Sequence, residues 1–393
     1  MNAIQKEQDY TARYSLLPCF YWAAFCSIIS YASFYLLSIG YKNSTIGMII
    51  AVAGAFSAIL QPVVASYADR ADSLSLKNIV LLISGVQIGG YIALALLHQK
   101  AFLLTGIIYG VEIGVHQVLT PLINSLGTET INQGKKLNYG ISRSLGSVSY
   151  AVVAFILGQI TVKTESSSVL YMSILMLFLL ELSLLVYPFR KQVKASADTV
   201  SKADAPKTSG FAFFLKYKRF SVLLIGCVLI YLSHVMINNF TLQIVQTKGG
   251  DAGTMGTGQA IASLIELPTM FLFGWMLKKA ECKVWFKISG LFFFLKIFAT
   301  WLAPNVPVFY GVQFLQMFGW ALITVSSVYY VNSVMEDQDK IKGQAYFTMT
   351  YTIGCVFGSL LGGALLEAYS ANAMLICGSV CALIGSAIMF ITA

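Results

Sequence analysis

Twelve apolar runs of membrane-spanning length are the feature that most constrains this chain. A helix needs about 20 mostly apolar residues to cross the hydrocarbon core of a bilayer. Only 11% of the residues are charged, against about a quarter in a soluble domain. The sequence therefore predicts an all-α integral membrane protein with twelve transmembrane helices, over residues 15–38, 44–67, 76–97, 101–126, 139–161, 168–188, 219–246, 253–277, 284–303, 305–334, 343–367 and 371–392.

The longest polar stretch, residues 190–210, lies midway along the chain and has mixed charge with few apolar residues. Such composition is typical of a flexible linker. We expect an N-terminal six-helix bundle over 1–189, a cytoplasmic linker over 190–218 and a C-terminal six-helix bundle over 219–393. The halves show weak parallel similarity, which indicates two pseudo-repeats, an architecture used by secondary transporters.

Basic residues predict the orientation in the membrane. If both termini are cytoplasmic, 20 of the 26 Lys and Arg residues fall in cytoplasmic segments and four in outer loops. Cytoplasmic loops carry such an excess, so we expect a multi-pass protein of the bacterial inner (plasma) membrane. The orientation also explains the net charge of +9 without a nucleic-acid partner.

The N-terminal residues and the cysteines bear on processing and on cofactors. The first fourteen residues lack the basic-then-apolar pattern of a cleaved signal peptide, so the first apolar run is expected to stay as a helix. The seven cysteines show no CxxC spacing, so neither a metal nor a disulfide is predicted. We expect the partners to be the bilayer and a small-molecule substrate, no cofactor beyond a coupling proton, and a monomer.

One arginine interrupts the fifth apolar run. Arg143, Ser147 and Tyr150 share a helix face at i, i+4 and i+7. An arginine in hydrocarbon costs about 2.5–3.5 kcal/mol on insertion scales, while its planar donors and a tyrosine ring suit a polar ligand. The alternative is that Arg143 snorkels to the cytoplasm and the small residues beside it only allow close helix packing.

Titratable residues in the fourth and seventh runs are candidate proton sites. Glu112 and His116 stand at i, i+4, where a carboxyl and an imidazole can share a proton. The alternative is a structural pair that fixes this helix to its neighbour. His234 in the seventh run shares a face with Asn238, and it is either a relay or a hydrogen-bonded packing residue.

The eighth to tenth runs carry further polar residues. Gln259 and Glu266 share one stripe of the eighth run, and the ninth holds a lone Lys296 that we expect to pair with Glu266. In the tenth run, Trp320 shares a polar face with Gln316. A water-lined cavity and helix-to-helix hydrogen bonding are both compatible with that face.

Residues 43–70, "NSTIGMIIAVAGAFSAILQPVVASYADR", resemble the second span and following loop of the major facilitator superfamily. They most resemble its oligosaccharide:proton symporters of the lactose permease type. The resemblance implies a gating role for the loop pair Asp69 and Arg70. Ala65 stands where that loop motif normally begins with glycine, and its basic cluster is thinned here.

The stretch "RSLGSVSY" (143–150) is similar to the fifth span of these symporters. The resemblance implies that Arg143 binds sugar hydroxyls, that Tyr150 stacks on the sugar and that Ser147 lies beside it. Asn124 stands where the group has a sugar-binding carboxylate, so the amide replaces an ion-pair partner.

The resemblance continues in the second half, with changes. Glu266 matches a glutamate that joins sugar binding to protonation, and Lys296 matches an arginine. Gln316 and Gly319 replace a histidine and the proton-carrying glutamate, and His234 replaces an aspartate. The resemblance thus implies that sugar-binding features are retained and that proton coupling has moved to Glu266 or to Glu112 and His116.

Together these features predict proton-coupled uptake, or symport, of a small polar solute by alternating access, with a sugar, oligosaccharide or glycoside as the first substrate class. A nucleoside or an aromatic carboxylate is the alternative substrate, because Arg143 and Lys296 could hold a carboxylate and several aromatic side chains could stack a ring. Drug or metabolite efflux is a further hypothesis. No nucleophile–base arrangement supports an enzyme.

Overall fold

The computed structural model describes residues 9–68, 70, 73–97, 102–189 and 210–393. In these residues the chain forms sixteen α-helices and one isolated backbone bridge, between Asp9 and Lys136. The helices are α1 (Thr11–Phe25), α2 (Ala32–Ser38), α3 (Asn43–Ala68), α4 (Leu76–Leu97), α5 (Phe102–Asn132), α6 (Tyr139–Lys163), α7 (Ser168–Val186), α8 (Gly210–Lys216), α9 (Lys218–Asn239), α10 (Thr241–Gln246), α11 (Ala252–Met276), α12 (Cys282–Leu302), α13 (Val306–Gln313), α14 (Trp320–Val334), α15 (Lys340–Ala368) and α16 (Ala371–Thr392).

Every predicted apolar run coincides with a helix or with a helix broken once. Ten helical segments of the described chain are long and apolar enough to cross a membrane, and α1 with α2 makes an eleventh, bent by 40°. The helix α12, 21 residues long, occupies the remaining predicted run. The predicted all-α membrane class is confirmed, and the structure is compatible with twelve spans.

The outer surfaces of these helices are apolar. Ile59, Leu103 and Ile391 have exposed fractions of 72%, 76% and 83%. A soluble protein rarely exposes so many large apolar side chains in contiguous patches, whereas lipid tails solvate them. The same helices bury polar residues on their inner faces, among them Gln87, which is 0% exposed.

Two predicted runs contain an irregular helical turn that the residue pattern does not indicate. A π-helical turn, Cys26–Ser30, follows α1, and a 3₁₀ turn, Phe314–Met317, separates α13 from α14. Such turns free backbone carbonyls, which need donors inside a membrane. The Tyr109 hydroxyl donates to the Ile28 carbonyl (3.0 Å) and the Thr269 hydroxyl to the Met317 carbonyl (3.0 Å).

The chain groups into two compact units, residues 1–41 with 52–193 and residues 42–51 with 194–393. In the first unit α1 packs on α6 and α7, and α4 packs on α5 and α7. Its buried core includes Tyr14, Tyr21, Leu119, Leu180 and Tyr187. Tyrosines in such a core need partners for their hydroxyls, and Tyr14 donates to the Ile123 carbonyl at 3.0 Å.

In the second unit α9 packs between α15 and α16, and α12 packs on α14 and α16. The first turns of α3 belong to this unit because polar groups fix them there. The Asn43 side-chain oxygen accepts from Gln243 Nε2 (2.9 Å), and the Asn43 backbone N–H donates to Glu367 Oε2 (3.1 Å).

The predicted linker, 190–218, lies partly outside the described residues, which resume at Gly210. The short helix α8 and the first residue of α9 fall within its last nine residues. The boundaries 1–189 and 219–393 for the two bundles stay predictions.

Candidate functional site

The helix α6 begins where the Asn138 side chain accepts a hydrogen bond from the Ile141 N–H at 3.1 Å. This N-cap sets Arg143 one turn into the helix. Its guanidinium carbon lies 4.3 Å from the centre of the Trp22 ring on α1, within range of a cation–π interaction. Arg143 is half-buried, so an aromatic face stabilises a charge in an apolar setting.

The close approach of Trp22 depends on Gly146. A Cβ atom at that position would lie 2.5 Å from Trp22 Cδ1 and 3.2 Å from the Pro18 carbonyl oxygen. Contacts that short are essentially never tolerated against backbone and ring together. The predicted stripe on α6 therefore combines packing and chemistry: Gly146 admits the ring that supports Arg143.

Tyr150 lies two turns along α6, and its hydroxyl is 2.7 Å from the Ser30 hydroxyl at the end of the π-helical turn. Ser147 is buried, and Asn124 is half-buried on α5. The Tyr150 hydroxyl thus contacts the π-helical turn that follows α1. Stacking of the Tyr150 ring on a substrate stays a prediction.

Glu112 and His116 are both buried in the first unit, with exposed fractions of 5% and 0%. Neither His116 ring nitrogen bonds to Glu112: Nδ1 lies 3.3 Å from Gln87 Oε1, and Nε2 has no hydrogen-bond partner. Gln87 Nε2 donates to the Glu112 backbone oxygen at 3.0 Å. The predicted direct proton-sharing pair is therefore not formed, because Gln87 from α4 lies between the two residues.

Tyr21 on α1 completes this cluster. Its ring stacks on the His116 imidazole, with centres 4.7 Å apart and an angle of 8° between planes. Its hydroxyl contacts the Thr120 hydroxyl. The imidazole is thereby fixed on one face by a ring and on one edge by an amide.

In the second unit a three-residue network joins Glu266, Gln316 and Lys296. Lys296 Nζ donates to Gln316 Oε1 at 2.5 Å, and Gln316 Nε2 donates to Glu266 Oε1 at 2.8 Å. All three are buried, with exposed fractions of 4%, 6% and 8% for Lys296, Gln316 and Glu266. The predicted pairing of Lys296 with Glu266 is therefore made through an amide.

The 3₁₀ turn explains how Gln316 reaches both charges. This turn displaces Gln316 from the regular helical face on which Trp320 was predicted to share a stripe with it. A break in the helix, rather than helical periodicity, places the amide.

Trp320 stacks on His234, with ring centres 4.6 Å apart and 6° between planes. The edge of Phe293 lies on the same imidazole at 5.2 Å. The Asn238 amide lies 2.8 Å from His234 Nε2. These contacts fix the imidazole and cover one face of the Trp320 ring, and the relay role of His234 stays a prediction.

The remaining predicted positions are scattered. Gln259 on α11 is half-buried, and its side-chain oxygen has no hydrogen-bond partner. Arg70 is exposed in the bend after α3, and Asp69 lies outside the described residues. No group of three or more His, Cys, Asp or Glu suited to a metal ion occurs in the part of the chain that the structure describes.

Sequence reasoning missed Trp22 and Gln87. Gln87 is a lone amide in the apolar stretch "LLISGVQIGGYIALALL", the kind of signal that flagged Lys296. Trp22 gave no such signal, because aromatic residues are common in apolar spans and its role depends on contact with α6.

A sequence profile of the MFS_1 like family matches residues 11–376. A search of curated proteins gave no significant match. Among solved structures, a mutant of the nucleoside transporter NupG superposes with a TM-score of 0.83 at 15% identity, covering 97% of this chain and 99% of that one. Unmutated NupG gives 0.78 at 16%, covering 98% of each chain.

An autoinhibited peptide transporter of the POT family also matches, with a TM-score of 0.72 at 10% identity, covering 97% of this chain and 96% of that chain. At these identities the likeness shows the fold. The profile match shows the family.

The chain belongs to the MFS_1 like family and has the major facilitator fold. It is a membrane transporter of this type, and the prediction that it is not an enzyme is confirmed by the family. The resemblance to the superfamily is likewise confirmed, whereas the oligosaccharide:proton group within it is not established.

Proposed function

We propose that this transporter takes up nucleosides by proton-coupled symport. The observation that carries the proposal is the buried network of Lys296, Gln316 and Glu266. It offers a cation, an amide and a carboxylate in one place, the donors and acceptors that ribose hydroxyls and base edges require. Holding such groups in a dry interior is costly, which favours a function for them.

A nucleoside also has an aromatic base, and aromatic rings accompany the polar groups in both units. Trp22 lies under Arg143, and Trp320 lies beside Tyr351, with ring centres 5.5 Å apart. Base-to-aromatic stacking is worth about 1–3 kcal/mol per base in other proteins. The structural similarity to NupG, a nucleoside transporter, supports the same substrate class.

A sugar or oligosaccharide is the second candidate. The stretch from Arg143 to Tyr150 resembles the sugar-binding span of the lactose permease type, and an arginine over a tryptophan can present its donors to hydroxyl groups. An oligosaccharide lacks the planar base, so a ring-bearing and a ring-free substrate separate the two candidates.

Localisation to the inner membrane with both termini cytoplasmic is part of the proposal. The bias of basic residues, 20 to 4, supports it. So does the apolar exterior of the described helices. The bilayer then surrounds the apolar outer surfaces of the spanning helices, with the protein acting as a monomer.

Substitution of Arg143 tests the binding role. We expect Arg143→Ala to weaken uridine binding by about tenfold to a hundredfold, since a hydrogen bond from a charged group is worth about 1.5–3 kcal/mol. Binding is measured by calorimetry on purified protein, with uridine, adenosine and lactose as ligands. Arg219→Ala, at an exposed arginine near the start of α9, is the matched control and should bind like the unsubstituted protein.

Unchanged uridine affinity in Arg143→Ala would contradict the binding role. Binding of lactose without uridine or adenosine would favour the second candidate. Binding of none of the three would overturn both.

A further inference from the structure

Three buried polar atoms in the first unit have no hydrogen-bond partner: Tyr91 Oη, Glu112 Oε2 and His116 Nε2. Their residues lie on the adjacent helices α4 and α5, with exposed fractions of 0%, 5% and 0%. Buried polar groups are almost always hydrogen-bonded, so each exception calls for an explanation. Three unpartnered polar atoms on one pair of helices indicate a binding site for a small ligand.

The carboxyl group of Glu112 packs against the backbone of α4 at Gly90. A Cβ atom at Gly90 would lie 2.7 Å from the carboxyl carbon of Glu112 and would overlap its Oε1 oxygen. Any side chain at position 90 would therefore force the Glu112 carboxyl group to shift from this place. Gly89, one residue earlier, has open space at the corresponding position.

The groups that face Glu112 are neutral or aromatic. From α4 come Gln87 and Tyr91, whose ring meets Tyr109 of α5 edge-on at 6.1 Å. On its own helix His116 lies one turn away, and from α1 Tyr21 covers that imidazole. The acid of α7, Glu181, accepts a hydrogen bond from the Ser84 hydroxyl at 2.6 Å, nearer the start of α4.

Among the residues that the structure describes, no cation forms an ion pair with Glu112. The ion pairs of the described residues involve Lys216, Lys283 and Lys340, all on exposed segments. Burial without a counter-charge disfavours the ionised form of a carboxyl group. Burial therefore favours the neutral form of the Glu112 side chain, and the ionised form costs free energy.

Glu266 is placed differently. Gln316 links it to the Lys296 ammonium group, which compensates its negative charge in the ionised form. A carboxylate held by a fixed cation is suited to bind substrate polar groups and poorly suited to exchange a proton during each cycle. Glu112 is thus suited to bind the proton and Glu266 to bind substrate, two roles that the sequence alone did not assign.

We propose that Glu112 is the proton-binding group of this transporter, with Gly90 as a positioning residue. This inference rests on the proposed symport. The proton binds to the carboxylate and forms a neutral carboxyl group. Tyr91 Oη and His116 Nε2 are the other buried polar atoms in the described part of this unit without a hydrogen-bond partner. Glu266 then serves substrate binding.

The test compares two kinds of entry of external radiolabelled uridine into proteoliposomes, which are preloaded with unlabelled uridine for counterflow and empty for accumulation. Counterflow exchange needs substrate binding but no net proton movement, whereas uphill accumulation needs coupling. We expect Glu112→Gln to keep counterflow and to lose accumulation driven by an inward proton gradient. Glu181→Gln, the matched control at a carboxyl group of α7 that also contacts α4, should keep both.

A second pair of variants tests the seating of the carboxyl. We expect Gly90→Ala to shift the pH midpoint of gradient-driven uptake, because the added methyl group displaces Glu112. Gly89→Ala should leave that midpoint unchanged. This pair keeps the proposal testable if Glu112→Gln folds poorly.

Several outcomes would overturn the proposal. Proton-driven accumulation by Glu112→Gln excludes Glu112 as the coupling group, as does an unshifted midpoint in Gly90→Ala. Accumulation of uridine by the unsubstituted protein on a sodium gradient alone excludes a proton as the coupling ion. If the unsubstituted protein shows no uridine counterflow at all, the failure belongs to the proposed substrate.

Discussion

At the scale of the residue, the central chemical feature is a pair of opposite charges held apart by one amide. Lys296 and Glu266 each make one hydrogen bond to Gln316. An ion in a low-dielectric interior is tolerated only when its charge is compensated and its hydrogen bonds are made. Removal of one charge leaves the other buried and uncompensated.

This network predicts non-additive effects on stability. We expect Lys296→Met to destabilise the protein by about 3–5 kcal/mol, as observed when one partner of a buried pair is removed. In the double variant Lys296→Met/Glu266→Gln no buried charge remains, so the loss should be smaller than in the single variant. Denaturant unfolding in detergent, followed by tryptophan fluorescence, measures both.

The coupling between the two sites is the difference between the double variant and the sum of the single variants. Additive effects within about 0.5 kcal/mol would mean that Lys296 and Glu266 do not interact through Gln316. Lys287→Met, on the same helix α12, serves as the control for loss of a lysine.

At the scale of the element, a short helix fixes the end of the predicted linker to the second unit. The side chain of Phe213 on α8 is fully buried against Phe220 and Tyr346. Lys216 Nζ donates to Glu336 Oε2 (2.8 Å) and to Asp339 Oδ2 (2.9 Å). Apolar packing and ion pairing therefore act on the same seven residues.

The charges at this contact predict a pH window. The hydrogen bond from Lys216 holds the pKa of Glu336 below its ordinary value. Hydrogen bonds to Glu336 and Asp339 raise the pKa of Lys216. A carboxyl group with a lowered pKa stabilises the folded state at pH values above its ordinary pKa, and this stabilisation is lost as the pH falls. A lysine with a raised pKa stabilises the folded state at pH values below its ordinary pKa, and this stabilisation is lost as the pH rises.

We therefore expect the stability difference between the unsubstituted protein and Lys216→Met to be greatest between about pH 5 and about pH 10, the range between the ordinary carboxyl and lysine pKa values. It should shrink towards both extremes. Thermal unfolding across this range measures the difference, and Lys218→Met, at an exposed neighbouring lysine, is the control. A difference that does not vary with pH would show that Lys216 acts only by packing.

At the scale of the whole molecule, the distribution of basic residues predicts the topology. If the segments rich in Lys and Arg are cytoplasmic, both termini face the cytoplasm. Fluorescent-protein fusions at either end should then be bright, since the fluorescent protein folds in the cytoplasm, and alkaline phosphatase fusions at the same positions should be inactive. An active phosphatase at either terminus would reverse the assignment for that end.

The sequence by itself determined the class of fold and the position of the helices. Span length and hydropathy are local properties, because every backbone group in a lipid-exposed segment must bond within that segment. For this reason the predicted runs coincide with helices from Thr11 to Thr392. Isolated polar residues in those runs also marked Arg143, Glu112, Glu266 and Lys296 as buried or half-buried groups that need partners.

Only the tertiary structure decided which partners they have. Helical periodicity places residues on a face but does not say which helix that face meets, so Trp22 under Arg143 could not be inferred. It also assumes an unbroken helix, whereas the 3₁₀ turn carries Gln316 between Lys296 and Glu266. Gln87 of α4 contacts both His116 and the backbone of Glu112. A partner from a neighbouring helix thus competes with a partner on the same helix, and tertiary packing decides between them.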